Sequence, residues 1–167
     1  LTPTENTLLT GTYERSRGEA AYADRMMDGS KFDRDAWNVR FVQRNITPWF
    51  TELELRYGQS KIDHVMDTYS LRYLRMMGNQ VKKAMNPKRE TDTGHLKATF
   101  DWPDINLQTG IDYMRDKHLA RMEMRGEGYT HKPYQPQQNF TQWGGFAEGA
   151  WTVSDSRKFI AGYRYDE

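Results

Sequence analysis

The chain has 167 residues, enough for one ordinary domain, yet only 37% are hydrophobic while 13% are aromatic, including five Trp and ten Tyr. A formal net charge of +1 without any dense Lys/Arg run excludes a dedicated nucleic-acid binder, and the lack of cysteine excludes a disulfide framework. No apolar run reaches the ~18 residues of a membrane helix. High aromatic content beside sparse aliphatic content instead fits a transmembrane β-barrel, whose strands turn one side to a polar lumen and whose two interfaces carry aromatic girdles.

The dominant period along the chain is two. TLLTGTYE (7–14) reads as a first strand. In WNVRFVQRN (37–45), Trp37, Val39 and Phe41 share one face, with Asn38, Arg40 and Arg44 on the other. The segment NITP then signals a turn with Pro48 as its rigid element. WFTELELRYG resumes the alternation, with Trp49, Leu53, Leu55 and Tyr57 opposite Glu52, Glu54 and Arg56. In HLKATFDW, Leu96, Ala98, Phe100 and Trp102 oppose His95, Lys97, Thr99 and Asp101. After the WPDI turn, Ile105, Leu107, Thr109, Ile111 and Tyr113 oppose Asn106, Gln108 and Asp112. A last pair of strands places Trp143, Ala147, Trp151 and Val153 before an SDSR turn, and Phe159, Ala161, Tyr163 and Tyr165 after it.

This pattern predicts an all-β chain of seven antiparallel strands. Three tight turns (NITP, WPDI, SDSR) alternate with long polar connections at 16–30, roughly 67–92 and 115–138. Short turns on one side and long loops on the other are the arrangement of an outer-membrane barrel, with Trp49, Phe50, Trp102, Trp151 and Phe159 placed for the periplasmic girdle. A half-exposed soluble sheet or β-sandwich is the rival reading. Seven strands cannot close the even-numbered barrel of a single bacterial chain, and open edges are not tolerated in lipid. The stretch 1–167 is therefore expected to be a partial barrel domain of a larger receptor.

KIDHVMDTYS (61–70) carries the candidate site. If no bulge at Gly58 flips the register, the even-numbered residues stay on the face of Glu52, Glu54 and Arg56, and His64 and Met66 point with them into the lumen. Fifteen residues of strand from Trp49 climb roughly 38 Å at a tilt near 40°, which puts the pair beyond a ~25 Å apolar band, near the extracellular mouth. Ligands at i and i+2 on one strand face lie roughly 7 Å apart at Cα, close enough to converge on one ion. Imidazole with thioether selects copper, Cu(I) above all, over hard cations. Taken alone, H-x-M is a weak pattern, equally the edge of an ordinary core. The nine methionines (26, 27, 66, 76, 77, 85, 114, 122 and 124) all fall in the expected outer loops or outer strand ends, either as flexible filler or as a soft-metal capture surface.

GTYERSRGEAAYADRMMDGSKFDRDAW, WFTELELRYGQSKIDHVMDTYSLR and FDWPDINLQTGIDYMRDKH resemble the TonB-dependent outer-membrane receptors, specifically the copper receptors of the OprC/NosA type. The resemblance implies a 22-stranded barrel closed by an N-terminal plug, multi-pass in the Gram-negative outer membrane and surrounded by its lipid. It also implies that copper is the transported ligand, with import driven by TonB acting through the plug. The family's copper site joins a plug C-x-x-x-M to a barrel H-x-M. Only the latter has a counterpart here, at His64 and Met66. A receptor for another ligand, such as a metal–siderophore complex, stays open as the alternative. An outer-membrane barrel enzyme would need a Ser/His or Asp/His constellation, and His95, His118 and His131 sit in no recognisable nucleophile motif.

Overall fold

A computed structural model of the chain describes residues 1–72 and 82–167. Seven strands run in sequence: β1 (Thr7–Ser16), β2 (Asp28–Arg44), β3 (Phe50–Asp67), β4 (Ala84–Asp101), β5 (Ile105–Glu123), β6 (Gln135–Ser154) and β7 (Arg157–Asp166). They form one sheet in chain order, and each pairs antiparallel with the next. A short 3₁₀ turn at Tyr129–His131 is the only helical element among the described residues, so no helix there could cross a membrane.

The tight turns lie where the sequence puts them. Asn45 adopts a left-handed φ of 52°, a conformation asparagine tolerates better than most residues. Its amide then donates to the Thr51 carbonyl at 2.9 Å, and the Phe50 amide donates to the Thr47 hydroxyl at 2.9 Å. At the second turn the amide of Trp102 donates to the carbonyl of Ile105 at 2.8 Å across Pro103 and Asp104.

The strands are longer than the alternation alone suggests, and the connections are shorter. β2 begins at Asp28, β4 at Ala84 and β6 at Gln135, while β5 continues to Glu123. The expected loops at 16–30, 67–92 and 115–138 thus shrink to 17–27, 68–83 and 124–134. In the upper strand segments both faces are charged, so the apolar period that marks a strand fades although the ladder hydrogen bonds continue.

Register fixes the two faces. Tyr13 pairs with Trp37, Tyr57 with Gly94, Gly94 with Tyr113, and Tyr113 with Trp143. The Trp37 and Tyr57 rings lie 5.3 Å apart and those of Tyr113 and Trp143 4.6 Å apart, forming an upper aromatic belt that periodicity did not single out. The lower belt holds Trp49, Phe50, Phe100, Trp102, Trp151 and Phe159, with Phe50 and Phe100 stacked at 4.9 Å. From Gly94 to Trp102 is eight residues, about 20 Å of rise at a barrel tilt, close to the height of an apolar membrane band.

Among the described residues no second layer covers this face. The buried apolar residues among those described are Ala36, Val42, Val65 and Ala84, outnumbered by buried polar ones such as Asp28, Glu54, Asp67 and Asn86. Ile111 and Trp143 stay about half exposed, at 50% and 55%. A β-sandwich built from these strands would bury this face against another sheet, whereas all seven strands lie in one sheet.

Candidate metal centre

His64 and Met66 lie on β3, on the face of Glu54. The register runs unbroken from Glu52 to Val65 against β2 and from Glu52 to Asp63 against β4, so Gly58 hosts no bulge. The irregularities fall at Thr51, below this stretch, and at Ser30 on β2, and neither alters the β3 alternation.

The imidazole of His64 is fixed from several sides. Its ring packs on Phe32, directly opposite on β2, with centroids 4.2 Å apart. Phe32 lies over Gly29, where a Cβ would collide with its ring. The His64 carbonyl accepts from Asn86 Nδ2 at 2.8 Å, and the same nitrogen donates to Asp63 at 2.6 Å. Asn86 is fully buried, and its Oδ1 accepts from Arg121 Nε at 2.8 Å and from the Tyr134 hydroxyl at 2.7 Å. With every polar atom of that amide engaged, the backbone at His64 has little freedom.

Among the described residues the Nε2 of His64 is buried without a hydrogen-bond partner. A native fold rarely leaves such an atom unpaired, because its desolvation is not recovered. Burial pushes the His64 pKa below its ordinary value, against the opposing pull of the Asp63 carboxylate. The neutral ring that results is the form that binds a metal.

Met66 heads a row that the linear sequence does not display. It pairs with Met85 on β4, and Met85 pairs with Met122 on β5. Three thioethers thus follow one another across adjacent strands ~4.8 Å apart. Met85 and Met122 are open to solvent. Met26 and Met124 are exposed in the outer loops, whereas Met114 departs from expectation by standing in the middle of β5, opposite Thr93 on the polar face. Met76 and Met77 lie outside the described residues. No group of three or more His, Cys, Asp and Glu that could hold a metal converges among the described residues.

Two of the other histidines contact carboxylates. His95 Nδ1 lies 2.6 Å from Asp112, whose second oxygen accepts from Arg164 at 2.7 Å. His118 contacts Asp116 at 3.1 Å, a carboxylate already gripped by Arg89 at 2.5 Å. His131 belongs to the 3₁₀ turn.

A family model described as TonB dependent receptor-like, beta-barrel, matches residues 2–167. The chain belongs to this family. No curated protein matches the sequence. Among solved structures, the copper transporter OprC superposes with a TM-score of 0.87 at 33% identity. The match covers 99% of this chain and 26% of that one, so the chain spans about a quarter of the transporter's length. TonB-dependent receptors are outer-membrane β-barrel proteins, and this sheet carries one polar face and one apolar face between the two belts. Both the family and its copper-transporting relative are receptors or transporters rather than enzymes.

Proposed function

We propose that this chain forms part of a TonB-dependent receptor that imports copper across the outer membrane, with His64 and Met66 as the barrel half of the ion's binding site. The observation that carries the reading is the buried, unpartnered Nε2 of His64, two residues from Met66 on the same face. The thioethers of Met85 and Met122 extend that donor set outward, and the copper transporter's likeness over nearly the whole chain supports the same cargo. The remaining ligands and the coupling to TonB belong to a plug, and the barrel closes with strands additional to these seven.

His64 and Met66 give one nitrogen and one sulfur to the copper, a pairing that suits Cu(I) and disfavours magnesium or calcium. The neutral imidazole binds without first losing a proton, and Phe32 and Asn86 hold it so that little ordering remains to be done on binding. In the intact receptor, His64→Ala and Met66→Ala are each expected to lower bound copper at least about tenfold while the barrel stays folded. Metal analysis of the purified variants, with heat-modifiable gel mobility as the folding control, checks this. Wild-type copper content in both variants would overturn the assignment, and retention of a ferric siderophore in place of copper would favour the other transport reading.

A further inference from the structure

Strand β4 carries a proline in its interior although it lies between β3 and β5. Proline has no amide hydrogen to give to a ladder, so within sheets it is confined to edge strands, first residues and bulges. Against β5 the pairing runs through Pro87 without a gap. Against β3 it lapses between Asp63, paired with Lys88, and Met66, paired with Met85. The intact register on either side sets Pro87 opposite His64. The missing N–H is therefore the one that the His64 carbonyl would have accepted.

A side chain takes its place. Asn86 Nδ2 donates to the His64 carbonyl at 2.8 Å and to Asp63 Oδ1 at 2.6 Å. Its Oδ1 accepts from Arg121 Nε at 2.8 Å and from the Tyr134 hydroxyl at 2.7 Å. Arginine can only donate and a carboxylate can only accept, so the amide has one possible orientation, with its amino end toward His64. Tyr134 belongs to the connection above β5, and Arg121 is tied to the same connection. The Arg121 guanidinium lies 4.4 Å from the Tyr134 ring and 5.2 Å from the Tyr129 ring, and its Nη1 donates to the Thr130 carbonyl at 3.1 Å.

We infer that Asn86 is a positioning residue for the metal centre because it replaces the ladder donor that Pro87 lacks, and that Tyr134 tunes the centre through it. The inference rests on the copper reading of His64 and Met66. In an unbroken ladder the His64 backbone would be held by a fixed amide of the neighbouring strand. Pro87 transfers that hold to a side chain, and the side chain is aimed by the 124–134 connection. The connection thus bears on the geometry of the imidazole without supplying a ligand. Met66 is untouched by the gap, since its own pairing with Met85 is intact. Groups that hold a metal ligand in this indirect way are worth roughly 10–100-fold in affinity.

The test is the Cu(I) affinity of the intact receptor, measured by competition with a chromogenic chelator, with heat-modifiable gel mobility as the folding control. Asn86→Leu should weaken binding at least about tenfold. Adding Pro87→Ala returns a backbone N–H opposite His64 and should recover most of the loss. A purely structural defect at position 86 would not be repaired by a backbone amide at position 87. Tyr134→Phe, which removes one hydrogen bond from Asn86, should weaken binding about fivefold. In the presence of Pro87→Ala the same change should have no effect. Wild-type affinity in Asn86→Leu overturns the inference, and so does a loss that Pro87→Ala leaves unrepaired. If Asn86→Leu fails to reach the folded mobility, the Tyr134→Phe pair decides alone, and equal losses with and without Pro87→Ala overturn the inference. A wild-type receptor that binds no Cu(I), or His64→Ala that binds it as tightly, overturns the copper reading and the inference with it. That result is distinct from a working copper site indifferent to Asn86.

Discussion

Gly29 carries no side chain where Phe32 needs room, and that absence reaches His64. The Phe32 ring lies over the Gly29 backbone and packs, tilted, against the imidazole, so the smallest residue nearby sets the angle of the most reactive one. A methyl group at position 29 has to displace the ring, at a cost of about 1–3 kcal/mol in a packed setting. Gly29→Ala is accordingly expected to weaken copper binding in the intact receptor several-fold without touching a ligand, as titration with a competing chelator would measure. Unaltered affinity would mean that Phe32 does not orient His64. Asn86 acts in the same way from the other side, because its amide binds the His64 carbonyl and the Asp63 carboxylate together.

At the scale of elements, the upper ends of β2 and β3 are tied to the loops above them by buried acids. Asp28 accepts from Arg72, with Nε at 2.5 Å, and from the Tyr22 amide at 2.8 Å, while Arg72 also donates to the carbonyls of Tyr22 and Arg25 at 2.7 and 2.9 Å. Asp67 receives the amides of Tyr69 and Ser70 and the hydroxyls of Ser30 and Ser70. The Arg72 guanidinium, helped by the Tyr22 amide, draws the Asp28 pKa from 3.8 down to about 2. A carboxylate with a depressed folded pKa contributes stability that is complete above its unfolded value and is lost as pH falls through the folded one. The clasp between the 17–27 loop and the start of the next connection should hold from pH 8 down to about 4 and open as the pH nears 2. Spin labels on Glu19 and Thr68 would report the separation. Opening near pH 6, or a closed clasp in Arg72→Gln at neutral pH, would refute the assignment.

For the molecule as a whole, the proposed receptor wall is one sheet that faces two solvents. The lumenal side buries Glu54 between Arg40, at 2.8 Å, and Arg56, and the outer side shows aliphatic and aromatic groups between two aromatic belts. A charge therefore has opposite consequences on adjacent positions. Ala98→Arg, midway between the belts on the lipid side, should cost about 2–4 kcal/mol, whereas Gln108→Arg, at similar height on the lumenal side, should be nearly neutral. Reversible folding of the intact receptor into lipid vesicles would measure both, and equal costs would contradict the assignment of the faces.

The sequence by itself determined the strand count, the tight turns and the side of β3 from which His64 and Met66 project. Each of these depends on local facts: a period of two, a turn residue at Asn45 or Pro103, and parity counted along one strand. Strand ends were not legible, because where both faces are charged the hydrophobic period vanishes while the ladder hydrogen bonds persist. The row Met66–Met85–Met122, the packing of Phe32 over Gly29 and the buried Asn86 join residues distant in the chain. Cross-strand register decides such neighbours, and register is a property of the assembled sheet rather than of any one strand.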